Sequence, residues 1–158
     1  MVTIYTDGSN RGTERFSSAI VVLNGSKTSI EHIEYKSYAN AYVEYRNIAG
    51  EIFGALMALK YALDHKETSL HIVYDYLGVE MWTKTWKTNN DLTRLYKKLM
   101  NSSPIEITFE KVKGHSHIQC NEIADYLAKK ALGIKKKDSK IDTSMIDYTK
   151  IDGQVFED

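Results

Sequence analysis

Two short runs of β-prone residues, 2–6 and 70–74, each close on an aspartate, Asp7 and Asp75. Val, Ile, Tyr and Thr suit a pleated surface, and Gly8 with Ser9 adds turn chemistry directly after the first run. Asp7 is therefore expected at the C-terminal end of a strand, rigidly held and exposed, with Asp75 closing a second strand in the same way. If the two strands are parallel neighbours, their carboxylates meet at one edge of a sheet. The crevice outside such strand ends is the common ligand site of open α/β domains.

The chain between and beyond these runs supplies the remaining elements. Residues 16–23 read as a strand, Asn24-Gly25 as a turn, and residues 29–38 as a strand of imperfect alternation. Three strands with short links suggest an antiparallel meander. From Glu44 the pattern changes: Ile48, Ile52, Phe53, Leu56, Leu59 and Leu63 recur at three- and four-residue spacing, an amphipathic helix ending near Asp64. Gly50 and Gly54 lie one turn apart in it and each costs helix propensity, so close approach to the sheet is the expected reason for them. Residues 76–86 and 91–101 read as helices, with Trp82 and Trp86 one turn apart in the first. Pro104 breaks the chain, and residues 105–110 alternate as a half-buried strand. A loop over 113–117 leads to a helix over 121–132 that buries Ile123, Ala124, Leu127, Ala128 and Ala131. The order β-β-β-α-β-α-α-β-α fits an α/β fold, a mixed sheet with helices on its faces.

With 158 residues, the chain fits one domain with a core of its own. Residues 1–133 are read as that domain and 134–158 as a polar tail opening on Lys135-Lys136-Lys137. The 21 basic and 21 acidic side chains balance, which excludes a global electrostatic pull toward nucleic acid, so such a partner needs local patches. No apolar run approaches the ~20 residues of a membrane span and no leader pattern opens the chain, so a cytoplasmic location and no membrane partner are the expectation. The single cysteine, Cys120, is read as a loop thiol, in keeping with a reducing compartment.

The acidic residues carry the functional reading. Glu51 lies in the first turns of the long helix among core-facing positions, and Asp125 stands beside Ala124 and Ala128 in the last one. A carboxylate near an apolar helix face needs a partner, because an unpaired buried charge is costly. Four converging carboxylates repel one another and raise their pKa values. Divalent cations resolve that conflict. Magnesium prefers hard oxygen ligands and keeps waters that a phosphate can replace, so the cluster suits two-metal phosphodiester chemistry.

On these residues the chain resembles the type 1 ribonucleases H in a compact form without a hybrid-binding domain. The resemblance rests on Ile4-Tyr5-Thr6-Asp7-Gly8-Ser9, Asn47-Ile48-Ala49-Gly50-Glu51, Ile72-Val73-Tyr74-Asp75-Tyr76, and Val112-Lys113-Gly114-His115 followed by Asn121-Glu122-Ile123-Ala124-Asp125. It implies a ribonuclease H-like fold, a five-stranded mixed sheet of three antiparallel strands plus two further parallel ones, flanked by helices. It also implies hydrolysis of the RNA strand of RNA–DNA hybrids, leaving 5′-phosphate ends. By that likeness Asp7, Glu51, Asp75 and Asp125 hold two Mg2+ ions, with Mn2+ as a substitute. Asp7 bridges them, Asp125 helps hold the ion that activates water, and Glu51 and Asp75 hold the other. His115 assists proton movement or product release. Asn47 matches a position that touches the hybrid's minor groove, and Gly8, Ser9, Tyr76, Trp82, Lys87, Lys113 and Asn121 are the further expected substrate contacts. The protein is expected to act as a monomer.

The chain departs from the family pattern in four places. Leu77 stands where a substrate-contacting glutamine is common, Asn10 to Arg15 replace a glycine-rich loop, the basic helical protrusion is short, and no hybrid-binding domain precedes Asp7. These bear on affinity more than on chemistry, since phosphate contacts dominate binding strength. Two other classes compete: a binding module that keeps the fold with little turnover, and a DNA-directed nuclease of the same superfold. The complete acidic set with His115 favours the enzyme, and the Asn47 and Lys113-Gly114-His115 contexts favour hybrid cleavage.

Overall fold

A computed structural model describes residues 1–112 and 119–134. Its five strands are β1 (Val2–Arg11), β2 (Arg15–Leu23), β3 (Ile30–Tyr38), β4 (Ser69–Tyr74) and β5 (Glu106–Lys111), in the sheet order β3-β2-β1-β4-β5. β1–β2 and β2–β3 pair antiparallel, while β1–β4 and β4–β5 pair parallel, the mixed sheet expected. The helices are α1 (Asn47–Asp64), α2 (Gly78–Met81), α3 (Asp91–Ser102) and α4 (Gln119–Ala131).

Alternation along the strands divides the core between the two sheet faces. Ile4, Phe16, Ile20, Val22, Leu70, Ile72 and Tyr74 pack with the apolar stripe of α1 and with Leu92 and Tyr96 of α3. Ala19, Val21 and Ile33 point the other way and meet Ile123, Ala124, Leu127 and Ala128 of α4. Single-residue alternation in β2, Phe16-Ser17-Ser18-Ala19-Ile20-Val21, thus feeds both layers. α3 begins in a capping box: the Asn90 side chain accepts from the Thr93 N–H at 2.9 Å, and the Asn90 N–H donates back to the Thr93 hydroxyl. That reciprocal pair satisfies two donors otherwise open at a helix start.

Four local expectations change. β1 does not stop at Asp7 but runs on to Arg11, because β2 continues to pair with it as Asp7↔Ala19, Gly8↔Ser18, Ser9↔Ser17 and Arg11↔Arg15. On the other side, the β1–β4 register reaches only Tyr5↔Val73, so Asp7 is at a strand end toward β4 and mid-strand toward β2. α1 starts at Asn47 rather than Glu44; a 3₁₀ turn at Val43–Tyr45 and Arg46, at φ 53°, break the helix before it. Helix over 76–86 shrinks to the single turn α2, its aromatic residues packing in turns beyond it. Cys120 is a half-buried residue of α4 packed against the smaller core cluster, not a loop thiol. Among the described residues no helix is long and apolar enough to cross a membrane. The tail over 135–158 lies outside the described residues.

Candidate active site

The site begins with two glycines. A Cβ on Gly8 would lie 2.3 Å from the carbonyl carbon of Gly50, and one on Gly50 would lie 2.6 Å from the Ser17 carbonyl oxygen. Without side chains at both positions, α1 touches β1 backbone to backbone, as the sequence anticipates for Gly50. Gly54, one turn on, is less tight, at 3.2 Å from the Asp7 carbonyl. This approach brings Glu51, the residue after Gly50, against Asp7, the residue before Gly8.

Two serines that the sequence reading passed over hold the layers there. The Ser18 hydroxyl donates to the Gly50 carbonyl of α1 at 2.7 Å, and the Ser17 hydroxyl donates to the Ala128 carbonyl of α4 at 2.5 Å. The Leu132 N–H, the usual helical donor to Ala128, is directed to the Lys129 carbonyl instead, so Ser17 serves a carbonyl open at the helix end. Adjacent residues of one strand thus fasten a helix on each face. The signal was present: two hydroxyls inside an apolar run need buried partners.

Asp7 is 7% exposed, buried under α1 rather than exposed as its strand-end reading expects, and Glu51 is 4% exposed, the two carboxyl groups being close enough to share a proton. Burial pushes the Asp7 carboxyl up to about 7, with the charges of Asp125 and Asp75 adding to it; bonds from Glu51 and the Gly8 N–H pull the other way. That N–H donates to Asp7 Oδ1 at 2.8 Å. Glu51 is raised well above the usual range by burial and then by the Asp7 charge. One of its oxygens, Oε2, is buried with no hydrogen-bond partner among the described residues. Two carboxyl groups therefore share a nearly dry site.

The other two acids stand around this pair. The β1–β4 register ends at Tyr5↔Val73, two residues short of Asp7 and Asp75, and Asp75 is exposed just after β4. Asp75 acts electrostatically on both Asp7 and Glu51. Asp125 acts on Asp7 from α4, while its oxygens accept from Lys129 Nζ at 2.8 and 3.1 Å. Among the described residues no three acidic, His or Cys side chains are grouped closely enough to hold a metal ion. The fold thus gathers the four acids into one electrostatic neighbourhood with Asp7 and Glu51 at its centre. Asp75 and Asp125 stand outside that contact.

The remaining predicted positions vary in placement. Gly8 is buried; Ser9, Tyr76 and Asn121 are half-buried; Asn47 and Lys87 are exposed. Asn121 Oδ1 is buried without a hydrogen-bond partner among the described residues. Trp82 is 9% exposed, packed between Tyr76 and Trp86 and against Gly78, so it belongs to the core, whereas Trp86 is 37% exposed. Lys113 and His115 lie outside the described residues.

A family model described as RNase H matches residues 1–133. The chain is 30% identical over 146 residues to a ribonuclease H of Chlorobium phaeobacteroides, covering 83% of this chain and 94% of that one. Its fold matches the crystal structure of RNase H1 from the halophilic archaeon Halobacterium salinarum with a TM-score of 0.68, at 24% identity over 84% of this chain and 97% of that one. It also matches LC11-RNase H1, solved in complex with an RNA/DNA hybrid, with a TM-score of 0.65 at 15% identity, over 84% of this chain and 99% of that one.

Proposed function

The chain belongs to the RNase H family, and from that premise we propose that it hydrolyses the RNA strand of RNA–DNA hybrids with divalent metal ions held by Asp7, Glu51, Asp75 and Asp125. The observation that carries the metal reading is the buried Asp7–Glu51 pair, with one Glu51 oxygen lacking any hydrogen-bond partner among the described residues. Two carboxyls buried together are stable as a proton-sharing pair or around a cation. An all-oxygen donor set of this charge fits magnesium, or manganese in its place. When bound, two such ions stabilise the attacking and leaving oxygens of an in-line displacement at phosphorus.

The chain's own residues do the rest. Asp7 and Glu51 are fixed by the sheet and by the Gly8–Gly50 contact, so their oxygens need little reorganisation as charge develops. Asp75, just after β4, and Asp125, on α4, complete the ligand set around the pair in this reading. Ser9 and Asn47 flank the pair along β1 and at the start of α1, where polar side chains can read a 2′-hydroxyl, the group that separates RNA from DNA. Tyr76, Lys87, Lys113 and Asn121 supply further contacts, and His115 serves proton transfer or product release.

The test is incubation with a labelled RNA–DNA hybrid, duplex DNA and duplex RNA, with magnesium or with chelator. Cleavage confined to the RNA of the hybrid, requiring metal and leaving 5′-phosphate ends, is the expected result. Cleavage of duplex DNA, or of the hybrid in chelator, would overturn it.

A further inference from the structure

Among the described residues, Asp125 is the acid of the site that a cation of its own helix holds. Lys129, one turn further along α4, places Nζ 2.8 Å from one Asp125 oxygen and 3.1 Å from the other, with both side chains partly shielded from solvent. Spacing of four residues on a rigid helix makes this contact intrinsic to α4. The same carboxylate also acts electrostatically on Asp7, so its charge bears on the buried pair while its oxygens are held by the ammonium. A divalent ion that takes an Asp125 oxygen therefore has to share or displace Lys129, and meets a positive charge as it enters.

We propose that Lys129 is a positioning residue that holds Asp125 as an internal counter-ion, competes with divalent cations for it, and so sets the metal concentration at which the site fills. This rests on the reading that the four carboxylates hold such ions. Lys130, the next residue on the helix, supplies a charge-matched comparison, with its Nζ 6.0 Å from the Tyr126 ring centre.

The experiment is calorimetric titration of the full chain with Mn2+ alone, without nucleic acid, for wild type, Lys129→Met, Lys129→Arg and Lys130→Met. Methionine has a helix propensity close to that of lysine, so α4 is retained; Lys129→Gln is the second variant should methionine impair folding. Lys129→Met is expected to bind Mn2+ about two- to five-fold more tightly, the range set by the strength of a partly exposed ion pair. Lys129→Arg, which keeps the charge, should stay near wild type, as should Lys130→Met. Unchanged or weaker binding by Lys129→Met overturns the proposal, and equal tightening by Lys130→Met does so too, by assigning the effect to overall charge. If wild type binds no Mn2+, the metal reading fails and takes this inference with it. Wild-type binding without a variant effect removes this inference alone.

Discussion

Gly8 of β1 and Gly50 of α1 are in direct backbone contact: a Cβ on Gly50 would lie 3.1 Å from the Gly8 Cα, and one on Gly8 would lie 2.5 Å from the Glu51 nitrogen. The contact lies between Asp7 and Glu51 in sequence and sets how closely their carboxyl groups approach. Two glycines that weaken a strand and a helix locally thus have a joint purpose in the site.

Alanine substitutions should follow the crowding. Gly50→Ala gains helix propensity but presses on the Ser17 carbonyl, for a net loss of about 1–3 kcal/mol. Gly8→Ala, whose three nearest contacts are all backbone and lie at 2.3, 2.5 and 2.7 Å, should cost more. Gly54→Ala, with its nearest atom at 3.2 Å, should change stability by under about 1 kcal/mol, and Gly25→Ala, with nothing within 4 Å, by about 0.5 kcal/mol or less. Urea unfolding of the four variants gives the ranking; equal costs at Gly50 and Gly25 would contradict the close contact.

Ser17→Ala and Ser18→Ala should each cost about 1–2 kcal/mol, because each removes a buried donor from a helix carbonyl. Ser18→Ala loosens α1, which carries Glu51. Ser17→Ala loosens α4, which carries Asp125. Hydrogen exchange of the two helices should separate these effects, and protection lost equally from both helices in either variant would count against the assignment.

Asp7 gives a pH dependence with a definite sign. Its carboxyl is raised from 3.8 to about 7, so the folded state binds a proton more tightly than the unfolded chain does. Stability in chelator is then greatest below about pH 4 as far as this group is concerned and falls as pH rises through 7, by a few kcal/mol in order of magnitude. Asp7→Asn should flatten that fall, and magnesium at pH 8 should reverse much of it in wild type. Melting temperatures at pH 5 and pH 8, with chelator and with magnesium, test this; a wild-type profile identical to that of Asp7→Asn would contradict it.

Much of this arrangement was legible in the sequence because each signal had one dominant cause. The three- and four-residue spacing from Ile48 to Leu63 has no good alternative to a helix, and Gly50 within it asks for a close neighbour, which it has. The end of β1 was misread because Gly8 and Ser9 look like turn residues, while their actual use is close packing and antiparallel pairing with Ser18 and Ser17. Tertiary contact overrode local propensity there. Residues 76–86 misled for a related reason: Trp82 and Trp86 have helical spacing, but with Tyr76 they form a ring cluster around a single helical turn. The four-residue spacing of Asp125 and Lys129 is in the sequence, but such a spacing is common on any helix, and only the charge of Asp125 acting on Asp7 ties it to the site.

The most direct test is the single-turnover rate of RNA-strand cleavage by Glu51→Gln against wild type, with saturating hybrid and magnesium. Glutamine keeps the size of the side chain and removes the charge that the account assigns to metal binding. Loss of about two orders of magnitude or more in rate is predicted, with hybrid affinity little changed and the fold intact. Cleavage by Glu51→Gln at close to the wild-type rate would contradict the assignment of the buried Asp7–Glu51 pair as the centre of catalysis.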